Sequence, residues 1–202
     1  MHFNAQLLAK HSAWIAHTAM LINRPGQGDG VKDNPVLHIK LPQRSVQKIA
    51  QIAFGNFTLG QVNLGGQWLL HGPGQFEIQV ADPDARHAAV ASLRVSAGSV
   101  ATSGNSERGI LVDGQRYGHV LDPRSGEPAA DFGSVTVVHP DPFAADCLAT
   151  AFLVLGPEAA LAWAKRDPLV EVLIVTRGQA GPQVVGSAGL DFTPAQQTSP
   201  SP

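Results

Sequence analysis

The stretch Asp141-Pro142-Phe143-Ala144-Ala145-Asp146-Cys147-Leu148-Ala149-Thr150-Ala151-Phe152-Leu153-Val154-Leu155-Gly156 decides how the rest of the chain is read. Phe143, Cys147, Leu148, Ala151, Phe152 and Leu155 recur at helical spacing, which predicts a mostly apolar helix. Asp146 and Thr150 stand four apart and therefore project from one face of it. Both offer oxygen, the ligand type that a hard cation such as magnesium prefers. Each also has a purely structural reading. An Asp near a helix start satisfies backbone donors there, and a helical Thr bonds back to its own backbone. Cys147 is expected to pack as a small apolar group on this helix. With one cysteine in the chain, no internal disulfide is possible.

Two further polar clusters lie upstream between apolar runs. The first is Thr102-Ser103-Gly104, the second His119-Val120-Leu121-Asp122-Pro123-Arg124-Ser125-Gly126. Taken alone, the first is a loop and the second a tight turn, with proline presetting the backbone and glycine supplying a positive dihedral. The Asp113-Gly114 dipeptide predicts a hairpin between strands at 109–112 and 116–121. His119 then falls near a strand end, where a scaffold commonly presents chemistry on a loop.

Further strands are expected at 58–64, 67–70, 75–80, 90–95, 99–102, 134–139, 170–176 and 183–186. Helices are expected at 44–54, where Val46, Ile49, Ala50 and Ala53 share a face, and at 157–165, which opens with Pro157. Strands in runs, separated by helical segments, favour an α+β fold over a regular alternating one. Gly65-Gly66 ends the first strand of the run; paired glycines either make a plain turn or let another backbone or a ligand come close.

Composition narrows the function classes. With 202 residues, 44% hydrophobic and 15% charged, the chain can bury one sizeable core. A net charge of −2 argues against a general nucleic-acid binder, which carries a basic surplus. The apolar patch within residues 1–23 is too short and too interrupted to span a bilayer and lacks the pattern of an export signal, so the sequence as it stands suits the cytoplasm. The Gly- and Pro-rich run at 24–30 reads as a connection, since no Gly-Lys-Ser/Thr follows to make a phosphate loop. Residues 191–202, rich in Pro, Ser, Gln and Thr, are expected to form a disordered tail.

The three clusters in this order, preceded by Val62-Asn63-Leu64-Gly65-Gly66 and followed by Leu155-Gly156, resemble the ApbE family of FAD:protein FMN transferases. The resemblance covers roughly residues 41–190, with 1–40 a divergent N-terminal segment. It implies an α+β, T-fold-related mixed sheet with flanking helices. It further implies Mg2+ held by Asp146 and Thr150, and FAD contacted by Ser103, Gly104, His119, Val120, Gly65 and Gly66. The implied activity is transfer of FMN from FAD to a Thr or Ser hydroxyl of a redox partner protein, releasing AMP. His119 serves either as the base for the acceptor hydroxyl or as a phosphate ligand. Asp122, Arg124 and Gly126 shape the turn that holds His119.

The sequence departs from the family pattern in places. Asn105-Ser106 follows Gly104 where Asp-Tyr is usual, and Ser125 replaces a Thr. Leu41 and Ser45 stand where the upstream Gly-x-x-Lys-Gly-x-x-x-Asp stretch has Gly and Asp, beside Lys40. The alternative is therefore a degenerate relative that binds flavin or a partner without turnover.

Overall fold

The computed structural model describes residues 36–38, 59–63, 66–105 and 109–195. Twelve strands and two helices follow in chain order among these residues: β1 (Val36–His38), β2 (Gly60–Asn63), β3 (Gln67–His71), β4 (Phe76–Ala81), β5 (Ala89–Val95), β6 (Gly98–Gly104), β7 (Gly109–Val112), β8 (Gln115–Gly118), β9 (Gly133–His139), α1 (Pro142–Leu155), α2 (Pro157–Ala164), β10 (Glu171–Gly178), β11 (Gly181–Gly186) and β12 (Phe192–Pro194). The expected helix at 44–54 lies outside the described residues.

A seven-stranded sheet in the order β1-β2-β3-β6-β9-β10-β11 forms the middle layer. It is antiparallel except for the β1–β2 pair, which runs parallel, so the sheet is mixed as expected. Period-two alternation sorts its central strands onto two cores. On β10, Leu173 and Val175 face one way, while Val172 and Ile174 face the other. The first pair packs with Phe76, Ile78, Val80 and Leu93 of a second sheet, β12-β5-β4. The other pair packs with Val135, Val137, Ala145, Ala149, Phe152 and Leu153, which is the sheet's contact with α1. The layers are thus small sheet, large sheet and helices, an α+β architecture. In β4 burial alternates strictly, so the small sheet has one dry and one wet face.

Two expectations, the packing of Cys147 and a disordered tail from residue 191, are corrected. The face of α1 that meets the sheet is Ala145, Ala149, Phe152 and Leu153. Phe143 is 65% exposed and Leu155 44%, and Cys147 is exposed rather than packed. The helix is apolar nearly all round, and its packing on the sheet combines Ala145 and Ala149 with the larger Phe152 and Leu153. Residues 192–194, assigned to the tail by composition, form β12, which pairs with β5 through Phe192–Leu93, Thr193–Ser92 and Pro194–Ala91. Val36–His38, within the divergent segment, is also placed: it is the edge strand of the large sheet, in register with Gln61, Val62 and Asn63.

The Asp113-Gly114 hairpin is present between β7 and β8. Asp113 (φ 50°) and Gly114 (φ 79°) both take positive φ, as the tight two-residue turn demands. After β8 the chain turns back on itself. Leu121 bridges Pro128, the Asp122 N–H donates to the Glu127 carbonyl at 2.8 Å, and Gly126 (φ 75°) donates to the Asp122 carbonyl at 2.7 Å. Arg124 lies over this turn and donates from Nε and Nη2 to the Asp122 carboxylate at 2.9 and 2.6 Å. That fork, with the Arg124 backbone N–H, holds the Asp122 carboxyl down at about 2.

Two outcomes follow from this packing. Phe152 is fully buried and tilts against the Trp163 ring at 5.8 Å. Phe152→Ala is expected to cost about 3–5 kcal/mol of stability, measured by denaturant unfolding. The Asp122 carboxyl is expected to titrate near 2 by NMR, and to move toward 3.8 in Arg124→Ala. Because the folded value lies below the unfolded one, the stabilisation from this pair is whole above about pH 4 and is lost as pH falls through about 2.

Candidate active site

Asp141 caps α1: its Oδ1 accepts the Phe143 N–H at 2.9 Å, and Pro142 occupies the first turn, where a missing N–H costs nothing. The Asp141 N–H in turn donates to His139 Nδ1 at 2.9 Å, joining the end of β9 to the helix start. No acidic residue stands in the first turn of α1. The structural reading of Asp146 as a helix-start charge therefore does not apply, because that role belongs to Asp141. Asp146 sits half-buried on the second turn.

Thr150 does bond back to its own helix, its hydroxyl donating to the Asp146 carbonyl at 3.3 Å. Its Oγ1 also lies 3.1 Å from Ser103 Oγ. Either hydroxyl can donate in this contact. Lone pairs on both hydroxyl oxygens remain for another partner. The structure therefore brings together Ser103 at the end of β6 with Thr150 and, one helical turn away, Asp146.

β6 is held in place by its neighbours. The Thr102 N–H donates to the Gly66 carbonyl at 3.0 Å, and the Thr102 and Thr136 hydroxyls meet at 2.9 Å across the β6–β9 pair. Gly66 has φ 104°, a backbone that favours glycine, so its place beside β6 has a conformational reason. Gly65 lies outside the described residues. At Gly104 a side chain would crowd the Gly133 carbonyl at 3.1 Å, so this glycine lets β6 and β9 close up.

His119 is exposed on the loop that follows β8. The preceding residue, Gly118, lies so close to the Asn105 side chain that a Cβ there would overlap it. Asn105 is buried and follows Gly104 directly, so the hairpin carrying His119 rests against the end of β6. Val120 packs half-buried against the helix-side core, and its carbonyl accepts the Ala129 N–H at 2.9 Å.

The donor set suits a hard cation. One carboxylate and two hydroxyls supply oxygen alone, and magnesium commonly takes one or two carboxylates and fills its octahedron with water and phosphate oxygens. Among the described residues no group of three or more His, Cys, Asp or Glu side chains gathers as an all-protein metal cage would require. No described helix is long and apolar enough to cross a membrane.

Sequence reasoning passed over Gln67, which is buried and donates from Nε2 to Ser99 Oγ at 3.2 Å and to the Pro142 carbonyl at 2.6 Å. The signal was present in the alternation of β3, where Gln67 shares the phase of buried Leu69. Arg177 was also missed. It donates to both oxygens of Asp84 (2.9 and 2.8 Å) and to the backbone and side chain of Asp131 (both 2.9 Å), which raises its pKa above the usual arginine range.

The sequence profile of the ApbE family matches residues 46–174. The chain is 36% identical over 120 residues to an FAD:protein FMN transferase of Klebsiella pneumoniae, covering 58% of this chain and 37% of that one. An FAD:protein FMN transferase of Haemophilus influenzae is 26% identical over 187 residues, covering 83% of this chain and 52% of its own length. Among solved structures, the ApbE protein of Thermotoga maritima superposes with a TM-score of 0.63 at 31% identity, over 72% of this chain and 48% of that one. The flavin transferase ApbE of Vibrio cholerae gives 0.54 at 27%, with the same coverage. The chain spans about half or less of the length of these relatives. With the profile matching well over half of its residues and the motif-bearing elements in the same fold, this chain belongs to the ApbE family.

Proposed function

We propose that this chain transfers the FMN half of FAD to a Thr or Ser hydroxyl of a redox partner protein, with Mg2+ at Asp146 and Thr150, and releases AMP. The observation that carries this reading is the 3.1 Å meeting of Ser103 and Thr150, one turn from Asp146. It joins two of the motifs that the family resemblance rests on into one oxygen-rich face. The names of the relatives support flavin transfer in general.

In the proposed reaction the acceptor oxygen attacks the phosphorus on the FMN side of the FAD pyrophosphate. A new P–O bond forms to the acceptor, and the bond to the bridging oxygen breaks, so AMP departs with that oxygen. The acceptor's proton passes to His119, whose ring nitrogen serves as the base. A bound magnesium ion supplies charge neutralisation on the phosphate oxygens. Asp146 and Thr150 would hold it, Asp146 with charge and Thr150 with a lone pair that the Ser103 contact orients. Ser103 and the Gly104 backbone, at the end of β6, contact the flavin nucleotide. The Asp122–Arg124 turn keeps the His119 loop in one conformation.

The test is incubation of the purified chain with FAD, Mg2+ and an acceptor domain bearing a flavinylation-type Thr, reading covalent mass gain and AMP release. Transfer that a chelator abolishes is the expected result. FAD binding without transfer would overturn the proposal in favour of a non-catalytic flavin binder, and the absence of both binding and transfer would overturn it outright. Asp146→Ala is expected to lower transfer about a hundredfold or more with the fold intact by circular dichroism. His119→Ala is expected to lower kcat about a hundredfold at nearly constant KM. A loss expressed in KM instead would assign His119 to phosphate binding.

A further inference from the structure

Gln67 opens β3 one residue after Gly66 and is 6% exposed. A buried primary amide has two N–H groups to satisfy. Nε2 donates to Ser99 Oγ, and Ser99 passes its own proton to the Trp68 carbonyl at 2.8 Å, which ties the amide to the β3–β6 pair. The second bond leaves the sheet and reaches the Pro142 carbonyl at 2.6 Å. Pro142 is the first residue of α1, and in an α-helix its carbonyl accepts the N–H four residues on, that of Asp146. A carbonyl oxygen has two lone pairs, so one Pro142 oxygen serves both donors.

We propose that Gln67 is a positioning residue for the cation-holding face of α1. Its amide fixes the peptide group that anchors the Asp146 backbone, and so sets where the Asp146 carboxylate and Thr150 hydroxyl stand relative to Ser103. The inference rests on the flavin-transfer reading above. The Gln67 bond acts beside the other restraints on α1, among them the 3.1 Å contact of Ser103 with Thr150. Ala145 and Ala149 face the sheet, and burial of methyl groups is non-directional. Asp141 ties the helix start to its own first turn and to the end of β9. The Gln67 bond is directional and runs from β3, the strand beside β6, to the Pro142 carbonyl at the helix start, the acceptor for the Asp146 N–H.

The experiment uses the whole chain with FAD, Mn2+ standing in for Mg2+, and the paramagnetic resonance of free Mn2+ to read affinity. Gln67→Leu, similar in size but without a donor, is expected to weaken Mn2+ binding about tenfold. The same variant should speed hydrogen exchange of the Asp146 amide. Leu93→Ala, in the core on the other side of the large sheet, serves as the control for general destabilisation and should leave Mn2+ affinity unchanged. Gln67→Met takes the place of Gln67→Leu if the latter does not fold. Wild-type Mn2+ affinity in the Gln67 variant, where Asp146→Ala abolishes binding, overturns the positioning role and leaves the transfer reading standing. An equal loss in Leu93→Ala also overturns it. A wild-type chain that takes up no Mn2+ with FAD sinks the transfer reading instead. In that case unchanged exchange at Asp146 in Gln67→Leu would overturn the positioning of Asp146, and faster exchange would support it.

Discussion

Strands β9 and β10 are buried on both faces, and that constraint governs the rest of the molecule. Val135, Val137, Val172, Leu173, Ile174 and Val175 are each no more than 1% exposed. Apolar area on either side of the large sheet costs free energy in proportion to what water touches, at roughly 25 cal/mol per Å2, so both sides need a cover. The small sheet closes one face and α1 with α2 close the other. α1 must therefore lie across β6 and β9, and it is this placement that carries Thr150 to the end of β6.

The polar site begins where the dry layer ends. Along β6, Val100 enters one core and Ala101 the other; the next two residues continue the same alternation with hydroxyls. Thr102 points to the small-sheet side and finds Thr136, and Ser103 points to the helix side and finds Thr150. Packing thus supplies the frame and the strand period supplies the aim. Arg177 adds a clamp at the same end of the sheet as Gly133, drawing the loops of Asp84 and Asp131 together. Side chains held this way keep their geometry without help from a ligand, which is the condition for preorganised chemistry.

Much of the fold was legible in the sequence because its signals are short-range. The Asp113-Gly114 turn, the alternation of β4 and the proline at the start of α2 each act within a few residues, and each element formed where its signal lay. The sequence left the sheet-facing side of α1 open, because apolar residues fit two stripes of one helical period. Phe143, Cys147 and Leu155 are more apolar than Ala145 and Ala149, so hydrophobicity favoured the stripe that proved exposed. The buried stripe combines small Ala145 and Ala149 with large Phe152 and Leu153, a fit set by the sheet surface rather than by hydrophobicity alone. Likewise, polar composition hid β12, whose pairing with β5 depends on a partner strand about a hundred residues away in the chain.

The sequence by itself determined the local elements, the inventory of oxygen donors and the motif order that marks the family. A carboxylate and a hydroxyl four apart share a helix face whatever surrounds them, because the helical repeat is intrinsic to the backbone. Only the tertiary structure decided that this face meets Ser103, 47 residues from Thr150, and that a glutamine on β3 reaches the first turn of the same helix. Those meetings depend on the register of β6 against β3 and β9 and on how closely α1 seats on the sheet. Both are properties of long-range packing, which no local period encodes.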